Sequence, residues 1–191
     1  MEFKPTVIEN VWIGEGPVLI DDRGSFHEWF KASQLPNSIK FVPTQANTSV
    51  SGKGVIRGIH FSNAPAGQRK LLTCLTGSVL DFFVDLREES ETFLHWGSQL
   101  LTPDSGTSIL LGQGIGHAFQ ALEDDSRVAY LLDSEYQPES EFSIHPFDQD
   151  VNIAWPLAEY LVSKRDADAP SVQTLISEGK LPTKVKPRSP F

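Results

Sequence analysis

The strongest constraint on the fold is a succession of short runs rich in Val, Ile, Leu, Phe and Thr, which extends from Val7 to Ile153. Gly, Pro, Asn, Asp and Ser residues separate these runs and supply turn signals. Short strands at such spacing are typical of a sandwich or barrel, and helical periodicity is scarce in this chain. The pattern therefore predicts an all-β double-sheet jelly roll with one or two short peripheral helices.

The clearest strand is predicted at residues 78–87. Alternate residues of a strand share a face, and one face here is wholly apolar, formed by Leu80, Phe82, Val84 and Leu86. Further strands are predicted at residues 107–111 and 127–132. In the second of these, Tyr130 shares a face with Val128 and Leu132, so we expect it to point towards an interior or a cavity.

Helical spacing is clearest at residues 168–179. Val172, Leu175 and Ile176 follow an i, i+3, i+4 pattern there, and Gly179 supplies a C-terminal stop signal. A short second helix is predicted at residues 31–35. We expect a single domain at residues 1–180, followed by a loose tail at 181–191 that is rich in proline and basic residues.

Composition excludes several classes of function. The 191 residues carry a formal net charge of -9, with a pI near 5.0, which argues against a general surface for nucleic acid or anionic membranes. Cys74 is the only cysteine, so neither an intrachain disulfide nor a cysteine-rich zinc site can form. With no signal-peptide pattern and no long apolar run, we expect a cytoplasmic protein without a membrane segment.

The segment 45–70 concentrates the residues that could perform chemistry. It brings His60 close to Arg57 and Lys70, which suggests a proton-transfer base beside an anion-binding cluster. Strict strand alternation would place Arg57 and His60 on opposite faces, but Gly58 permits a bulge that re-aims side chains. The alternative is a purely structural histidine.

A metal site is the main rival interpretation, because jelly rolls of the cupin type often bind metals through two or three histidines and a carboxylate. The residue two positions after His60 is Ser62, and the following segment FSNAPAGQRK contains no carboxylate. His117 is the only other histidine in a comparable glycine-rich context, and two isolated histidines rarely suffice. We therefore expect no metal.

An ordered series of fragments resembles one enzyme family. The fragments are QANTSVSGKGVIRGIH, QRKL, VDLR, TF, GIGHAF, VAYLLDSEYQPESE, IAWP and SKRDADAP. In this order they resemble the dTDP-4-dehydrorhamnose 3,5-epimerase family over about residues 18 to 178. The resemblance implies a cupin-like jelly roll without metal or cofactor, a dTDP-sugar substrate and a homodimer.

The same resemblance implies roles for four catalytic residues. His60 matches the catalytic base, and Asp166 matches the carboxylate that pairs with it. Asp168 is the competing candidate, and capping of the last helix is the alternative role for Asp166. Tyr130 matches the acid on the opposite side of the sugar, and Lys70 matches the lysine that supports an enolate oxygen.

Further positions match residues that contact the substrate. These are Arg23, Phe26, Glu28, Gln45, Asn47, Arg57 and His117, with the arginines expected at the diphosphate because guanidinium groups make paired bonds to phosphate oxygens. We expect His117 to hydrogen-bond rather than to transfer a proton. The alternative for Asp22-Arg23-Gly24 is a turn with a surface ion pair.

The chain also departs from the family pattern. Phe61 and Ser62 replace a tyrosine and a glutamine, and Ser134 and Glu135 stand where threonine and tyrosine are common. The leading hypothesis is epimerisation of dTDP-4-keto-6-deoxyglucose at C3 and C5 to dTDP-4-keto-L-rhamnose. The alternatives are epimerisation at C3 only, a non-catalytic nucleotide-sugar-binding jelly roll, and a metal-dependent cupin enzyme.

Overall fold

The computed structural model describes residues 1–63 and 67–182. These residues form two large sheets, a separate hairpin and short helices. The strands are β1 (Glu2–Pro5), β2 (Val11–Glu15), β3 (Val18–Asp21), β4 (Gly24–His27), β5 (Gln45–Ser51), β6 (Val55–Ser62), β7 (Lys70–Thr76), β8 (Val79–Asp85), β9 (Trp96–Leu101), β10 (Thr107–Leu111), β11 (Ile115–Ala121), β12 (Ser126–Leu132), β13 (Glu141–Ser143) and β14 (Leu161–Val162). The α-helices are α1 (Lys164–Ala167) and α2 (Val172–Ser177). Three 3₁₀ turns span Ala32–Gln34, Pro103–Ser105 and Pro138–Ser140.

The strands are arranged as a double-sheet jelly roll, which confirms the predicted fold class. One sheet has the order β1-β2-β10-β7-β12-β5, and the other has the order β13-β6-β11-β8-β9. Strand β14 adds to β6 in parallel, and among the described strands β3 pairs only with β4. All other pairings are antiparallel, as expected for a fold of hairpins and long crossovers.

The core has three parts. The interior between the sheets is filled from both of them, for example by Leu72 of β7 and Phe83 of β8. A second apolar cluster covers the outer face of the β6-β11-β8 sheet, where the C-terminal segment packs. A third cluster lies around Phe41 and Leu110 on the outer face of the other sheet.

Strand β8 shows how the sequence pattern relates to this arrangement. Its predicted apolar face, Leu80, Phe82, Val84 and Leu86, lies in the outer cluster under α2 rather than between the sheets. The opposite face, which includes Asp81 and Phe83, is buried inside the sandwich. Polar side chains on that face therefore enter the interior, where burial makes them costly unless they have partners.

The predicted helices are found with small differences. Val172 and Leu175 of α2 are buried in the outer cluster, and Gly179 has a φ of 61°, as expected for a helix stop. The segment 31–35 forms only the short 3₁₀ turn. Leu181 is buried in the same cluster as α2, so the chain stays packed at the start of the predicted tail, and residues 183–191 lie outside the described part of the chain.

In residues 1–63 and 67–182, no helix has both the length and the apolar composition to cross a bilayer.

Candidate active site

A histidine and a carboxylate from distant parts of the chain meet at the end of β6. His60 Nε2 lies 2.7 Å from Asp166 Oδ1, and the Asp166 side chain is almost fully buried. Strand β14 pairs with β6 and leads directly into α1, which carries Asp166. The Ser163 side chain caps α1 by accepting a hydrogen bond from the Asp166 backbone N–H.

The two alternatives for this carboxylate do not match the structure. Asp168 lies on the surface, 66% exposed and 3.6 Å from Lys164. Ser171, rather than Asp166, caps the last helix. Asp166 is therefore the carboxylate that pairs with His60.

The environment keeps Asp166 ionised. Burial raises the pKa of this carboxyl, but hydrogen bonds with His60, Ser163 and the Gly58 backbone outweigh burial, and the pKa lies below its usual value. A carboxylate that accepts from Nε2 holds the ring in the tautomer with a proton on that nitrogen. Nδ1 is then left as the basic atom of His60.

A β-bulge brings Arg57 and His60 to the same cavity. His117 pairs with His60, whereas Phe119 pairs with Arg57, so two residues of β6 oppose one residue of β11. Gly58 lies in the bulge with a φ of 120°. Arg57 and His60 both line an open cavity together with Asp166, as the sequence predicted for a bulge at this glycine.

A second chain of polar groups lies on the other side of His60. Lys70 Nζ is 3.3 Å from His117 Nδ1, and His117 Nε2 is 2.7 Å from Asp81 Oδ2. Because an ammonium group can only donate, Nδ1 is the acceptor and Nε2 carries the proton. Asp81 therefore fixes the tautomer of His117, and His117 in turn helps to fix the Lys70 ammonium.

Burial also shifts the pKa values of the three residues in this chain of polar groups. It lowers the pKa of His117 well below the ordinary value, and the nearby charges of Lys70 and His60 act in the same direction. Burial lowers the pKa of Lys70, whereas the nearby charges of Asp81 and Glu141 act in the opposite direction. Burial raises the pKa of Asp81, whereas the nearby charge of Lys70 acts to lower it. A neutral His117 suits hydrogen bonding rather than proton transfer.

One open cavity joins His60 to Tyr130. Lys70 lines it as well, with its Nζ 5.3 Å from the centre of the Tyr130 ring. Gln45 and Asn47 of β5 complete one side, where the Gln45 amide donates to the Asn47 side-chain oxygen at 3.2 Å.

The structure does not bring three of the predicted binding residues to this cavity. Arg23, Phe26 and Glu28 belong to the β3-β4 hairpin and the residue after it. Arg23 forms an ion pair with Asp21 at the hairpin turn, as in the surface-turn alternative, and Phe26 is 68% exposed. Within this chain the three residues thus lie on a separate, solvent-exposed element.

Sequence reasoning missed several residues of the cavity. Asp81 supports the chain of polar groups, and Gln68, Glu141 and Arg165 line the cavity walls. Asp81 gave a signal, because it alternates with the apolar face of a predicted buried strand. Glu141 lies on a three-residue strand that is too short to show a pattern. Within the described ranges, no group of three or more His, Cys, Asp or Glu side chains is arranged to hold a metal ion.

Comparisons with known proteins identify relatives over most of the chain. Residues 5–174 match the family model described as dTDP-4-dehydrorhamnose 3,5-epimerase. An enzyme of that name from Mycolicibacterium smegmatis is 44% identical over 171 residues, which cover 87% of this chain and 84% of the relative.

Two solved structures extend the similarity to three dimensions. The rmlC epimerase of Mycobacterium tuberculosis superposes with a TM-score of 0.92 at 37% identity, covering 96% of this chain and 94% of the other. ChmJ, a 3'-monoepimerase from Streptomyces bikiniensis in complex with dTDP-quinovose, gives a TM-score of 0.89 at 39% identity, covering 96% and 93%.

The fold and these relatives together define an isomerase, a dTDP-sugar epimerase of deoxysugar biosynthesis. More particularly, the chain belongs to the dTDP-4-dehydrorhamnose 3,5-epimerase family.

Proposed function

We propose that this enzyme epimerises dTDP-4-keto-6-deoxyglucose at C3 and C5 and produces dTDP-4-keto-L-rhamnose without a cofactor. The observation that best supports this proposal is that His60, which is paired with Asp166, lines one cavity together with Lys70 and Tyr130. The 4-keto group of the substrate acidifies the hydrogens on both neighbouring carbons, so the substrate itself supplies the activation.

In the proposed reaction, His60 Nδ1 takes the proton from C3 or C5. The electron pair of the broken C–H bond moves to the carbonyl oxygen and forms an enolate. A positioned general base typically contributes about 10² to 10⁴ in rate. Asp166 stabilises the imidazolium that forms and returns the ring to the same tautomer when the proton leaves to solvent.

Lys70 stabilises the enolate oxygen by donating a hydrogen bond from its ammonium group. One prearranged donor of this kind is typically worth about 3 to 4 kcal/mol. The neutral His117 accepts from the same ammonium, which supports its orientation. Tyr130 then donates its phenolic proton to the opposite face of the carbon, which inverts the configuration, and the tyrosinate regains a proton from water.

The diphosphate and the nucleotide need polar contacts near this site. Arg57 lines the neighbouring cavity, and its guanidinium is oriented by Ser51 Oγ at 3.0 Å and by the Val50 carbonyl at 3.1 Å. A guanidinium held in this way suits phosphate oxygens. Gln45 and Asn47 offer amide groups for the nucleotide on the Tyr130 side.

Solvent exchange tests the proposal directly. Incubation of the enzyme with dTDP-4-keto-6-deoxyglucose in heavy water should incorporate deuterium at both C3 and C5, as located by NMR. The His60→Ala variant should lose exchange while its dTDP affinity stays within a few-fold. Exchange at the parent rate in this variant would exclude His60 as the base. A folded parent enzyme that binds the sugar nucleotide without any exchange would favour the binding-module alternative.

The second candidate function is epimerisation at C3 only. It is favoured by the similarity to ChmJ, which is described as a 3'-monoepimerase. Label at C3 alone in the same experiment would establish this reaction instead of the double epimerisation.

We also propose that the enzyme is a homodimer in which the β3-β4 hairpin reaches the site of the second copy. The hairpin pairs with no other described strand, and it exposes Leu19, Ile20 and Phe26 to solvent. Large exposed hydrophobic patches are typical of protein interfaces. This arrangement would bring Arg23, Phe26 and Glu28 to a substrate that they do not reach within their own chain.

Mixed dimers distinguish this arrangement from a hairpin that acts on its own copy. Arg23→Ala and His60→Ala variants should each be inactive, but co-expression should restore about a quarter of the parent activity. About half of the dimers are then mixed, and each mixed dimer contains one intact site out of two. An absence of restoration in verified mixed dimers would contradict the proposal. Light scattering of the parent enzyme gives the oligomeric state independently.

A further inference from the structure

A charged pair joins the ends of the two strands that carry Lys70 and Tyr130. Asp133, the residue after β12, accepts a hydrogen bond from the Arg69 backbone N–H at 2.7 Å and another from the Arg69 guanidinium at 2.8 Å. The Asp133 backbone N–H donates to the Arg69 carbonyl at 3.3 Å. These three contacts, here named the Arg69–Asp133 clamp, connect the residue before β7 to the residue after β12.

The clamp is largely sheltered from solvent. The Asp133 side chain is 8% exposed and that of Arg69 is 26% exposed. Exposed ion pairs contribute little, but a carboxylate that is mostly removed from water and also accepts from a backbone N–H is held more firmly. Strand ends fray where few contacts hold them. The clamp therefore restrains the part of the β7-β12 ladder that would otherwise open first.

The ladder that the clamp closes places Lys70 and Tyr130 side by side. Lys70 pairs with Leu132, and Leu72 pairs with Tyr130. Alternate residues of a strand share a face, and so do directly opposed residues, so Lys70 and Tyr130 are diagonal neighbours on one face. Lys70 Nζ accordingly lies 5.3 Å from the centre of the Tyr130 ring, and both residues line the cavity with His60.

The two side chains are anchored in different ways. Lys70 has a second contact with His117 Nδ1 at 3.3 Å. The Tyr130 ring packs against the cluster between the sheets, and its strand is held on the other side by β5. The separation of Lys70 from Tyr130 is therefore set where β7 meets β12, which is the junction that the clamp closes.

Building on the proposed function, we propose that Asp133 is a positioning residue for the protonation step. Through Arg69 it holds the start of β7 against the end of β12, which keeps Tyr130 within reach of the carbon while Lys70 supports the enolate oxygen. Asp133 itself neither transfers a proton nor contacts the sugar.

The enolate has two fates after His60 has taken the proton. Tyr130 protonates the opposite face of the carbon, and product forms. Alternatively, the imidazolium of His60 returns a proton to the same face, and substrate forms again. In heavy water the imidazolium exchanges its proton with solvent, so the second fate appears as deuterium in recovered substrate. The ratio of this deuterium to product therefore measures how well Tyr130 is placed.

Asp133→Ala tests the role through this ratio. Product formation should fall about 10- to 100-fold, because a misplacement of about 1 Å is costly in catalysis. Deuterium uptake into recovered substrate should fall far less, so the ratio should rise by about 10-fold or more. The KM should stay near the parent value, since the substrate contacts are retained.

Thr76→Val is the matched control at the opposite end of the same ladder. Thr76 pairs with Arg127, and its hydroxyl donates to the Asp125 carbonyl at 2.7 Å. The variant removes this hydrogen bond, keeps the β-branched shape and should keep the parent ratio. Amide hydrogen exchange, followed by NMR, should rise at residues 70–72 and 130–133 in Asp133→Ala and stay at the parent level there in Thr76→Val.

Several results would overturn the proposal. Equal losses of product and of deuterium uptake would mean that Asp133 affects stability alone. A raised KM with an unchanged kcat would mean that the pair contacts the substrate. If Asp133→Ala did not fold, Asp133→Asn would take its place. Its side-chain oxygen can accept from the Arg69 backbone N–H but lacks the charge, so the ratio should still rise several-fold, and an unchanged ratio would exclude the role.

The same measurements separate this inference from the proposed function. A parent enzyme that gives neither deuterium uptake nor product would contradict the proposed reaction. Amide exchange at the strand ends would then decide whether the clamp holds them, and equal exchange in Asp133→Ala and the parent would exclude it. Normal turnover with a ratio that Asp133→Ala leaves unchanged would contradict only the role of Asp133.

Discussion

At the scale of single residues, the hydrogen bond between His60 and Asp166 is the most specific feature of the site. The carboxylate fixes one ring nitrogen and leaves the other free to accept a proton. Asp166→Asn should therefore lower kcat by about 10² to 10⁴, because an amide neither enforces the tautomer nor stabilises the imidazolium. Steady-state rates across pH 6 to 9 measure the effect.

A matched control is available two residues away. Asp168→Asn removes a carboxylate of the same chemistry from the surface next to Lys164, and it should leave kcat unchanged. If Asp166→Asn and the parent had equal rates, Asp166 would not assist His60 in the reaction.

Single residues differ in how well the sequence predicts them. The pairing of His60 with Asp166 follows from resemblance to a family, since 106 residues separate the two and no local pattern connects them. Tyr130 could be oriented from strand alternation alone. The place of Glu141 in the cavity wall could not be predicted, because it depends on which face of a very short strand meets the cavity.

At the scale of elements, the bulge in β6 determines where His60 points. A Cβ on Gly58 would lie 2.5 Å from the Cβ of Ala118 and 2.6 Å from the His117 carbonyl oxygen, at a φ that side chains rarely adopt. Gly58→Ala should thus lower the free energy of unfolding by about 2 to 4 kcal/mol, through backbone strain and overpacking. Urea unfolding measures this loss.

Activity should fall further than stability explains, because the bulge also aims His60. Gly52→Ala is the control, since a Cβ there meets only a side-chain oxygen of Asp124 at 3.4 Å. If Gly58→Ala matched this control in stability and rate, the bulge would not be needed for the site.

Element prediction succeeded where a pattern is long enough to be recognised. The spacing of Val172, Leu175 and Ile176 predicted α2 because three apolar residues repeat on one face. Helix α1 was missed since its four residues are too few for any periodicity. The apolar face of β8 was recognised, but the sequence does not show that the C-terminal segment, rather than the opposite sheet, covers it.

At the scale of the whole molecule, a buried ion pair connects distant parts of the chain. Asp85 accepts from Arg87 at the end of β8, and Arg87 also donates to the carbonyl of Glu9, between β1 and β2 of the other sheet. Asp85→Asn would leave the buried guanidinium without its main partner. We expect a loss of about 3 to 5 kcal/mol in the free energy of unfolding at pH 7.

The loss of stability in Asp85→Asn should depend on pH. Burial raises the pKa of Asp85, but hydrogen bonds from Arg87, Ser90 and Thr92 outweigh it and hold the pKa below 3.8. The contribution of Asp85 is therefore present above pH 3.8 and is lost as the pH falls through the lower folded value. The difference between parent and Asp85→Asn in urea unfolding should shrink below pH 3.8. Asp21→Asn, in an exposed pair, should match the parent throughout.

The overall architecture was predictable because strand-length runs and turn residues alternate along most of the sequence. The relation between copies was not, since an exposed hairpin such as β3-β4 gives the same local pattern whether it meets solvent or a second chain. Residues Arg23 and Phe26 could be assigned to a binding role only by resemblance, because nothing in their own strand pairing connects them to His60.

Asp166 lies in α1, which follows all the described strands in the chain. Its position therefore determines when the His60–Asp166 pair can form during synthesis. The strands that carry His60 and Tyr130 both precede α1 in the chain, so they are synthesised before the carboxylate that pairs with the imidazole. A nascent chain that has paired these strands therefore still lacks the His60–Asp166 pair until α1 docks beside β14.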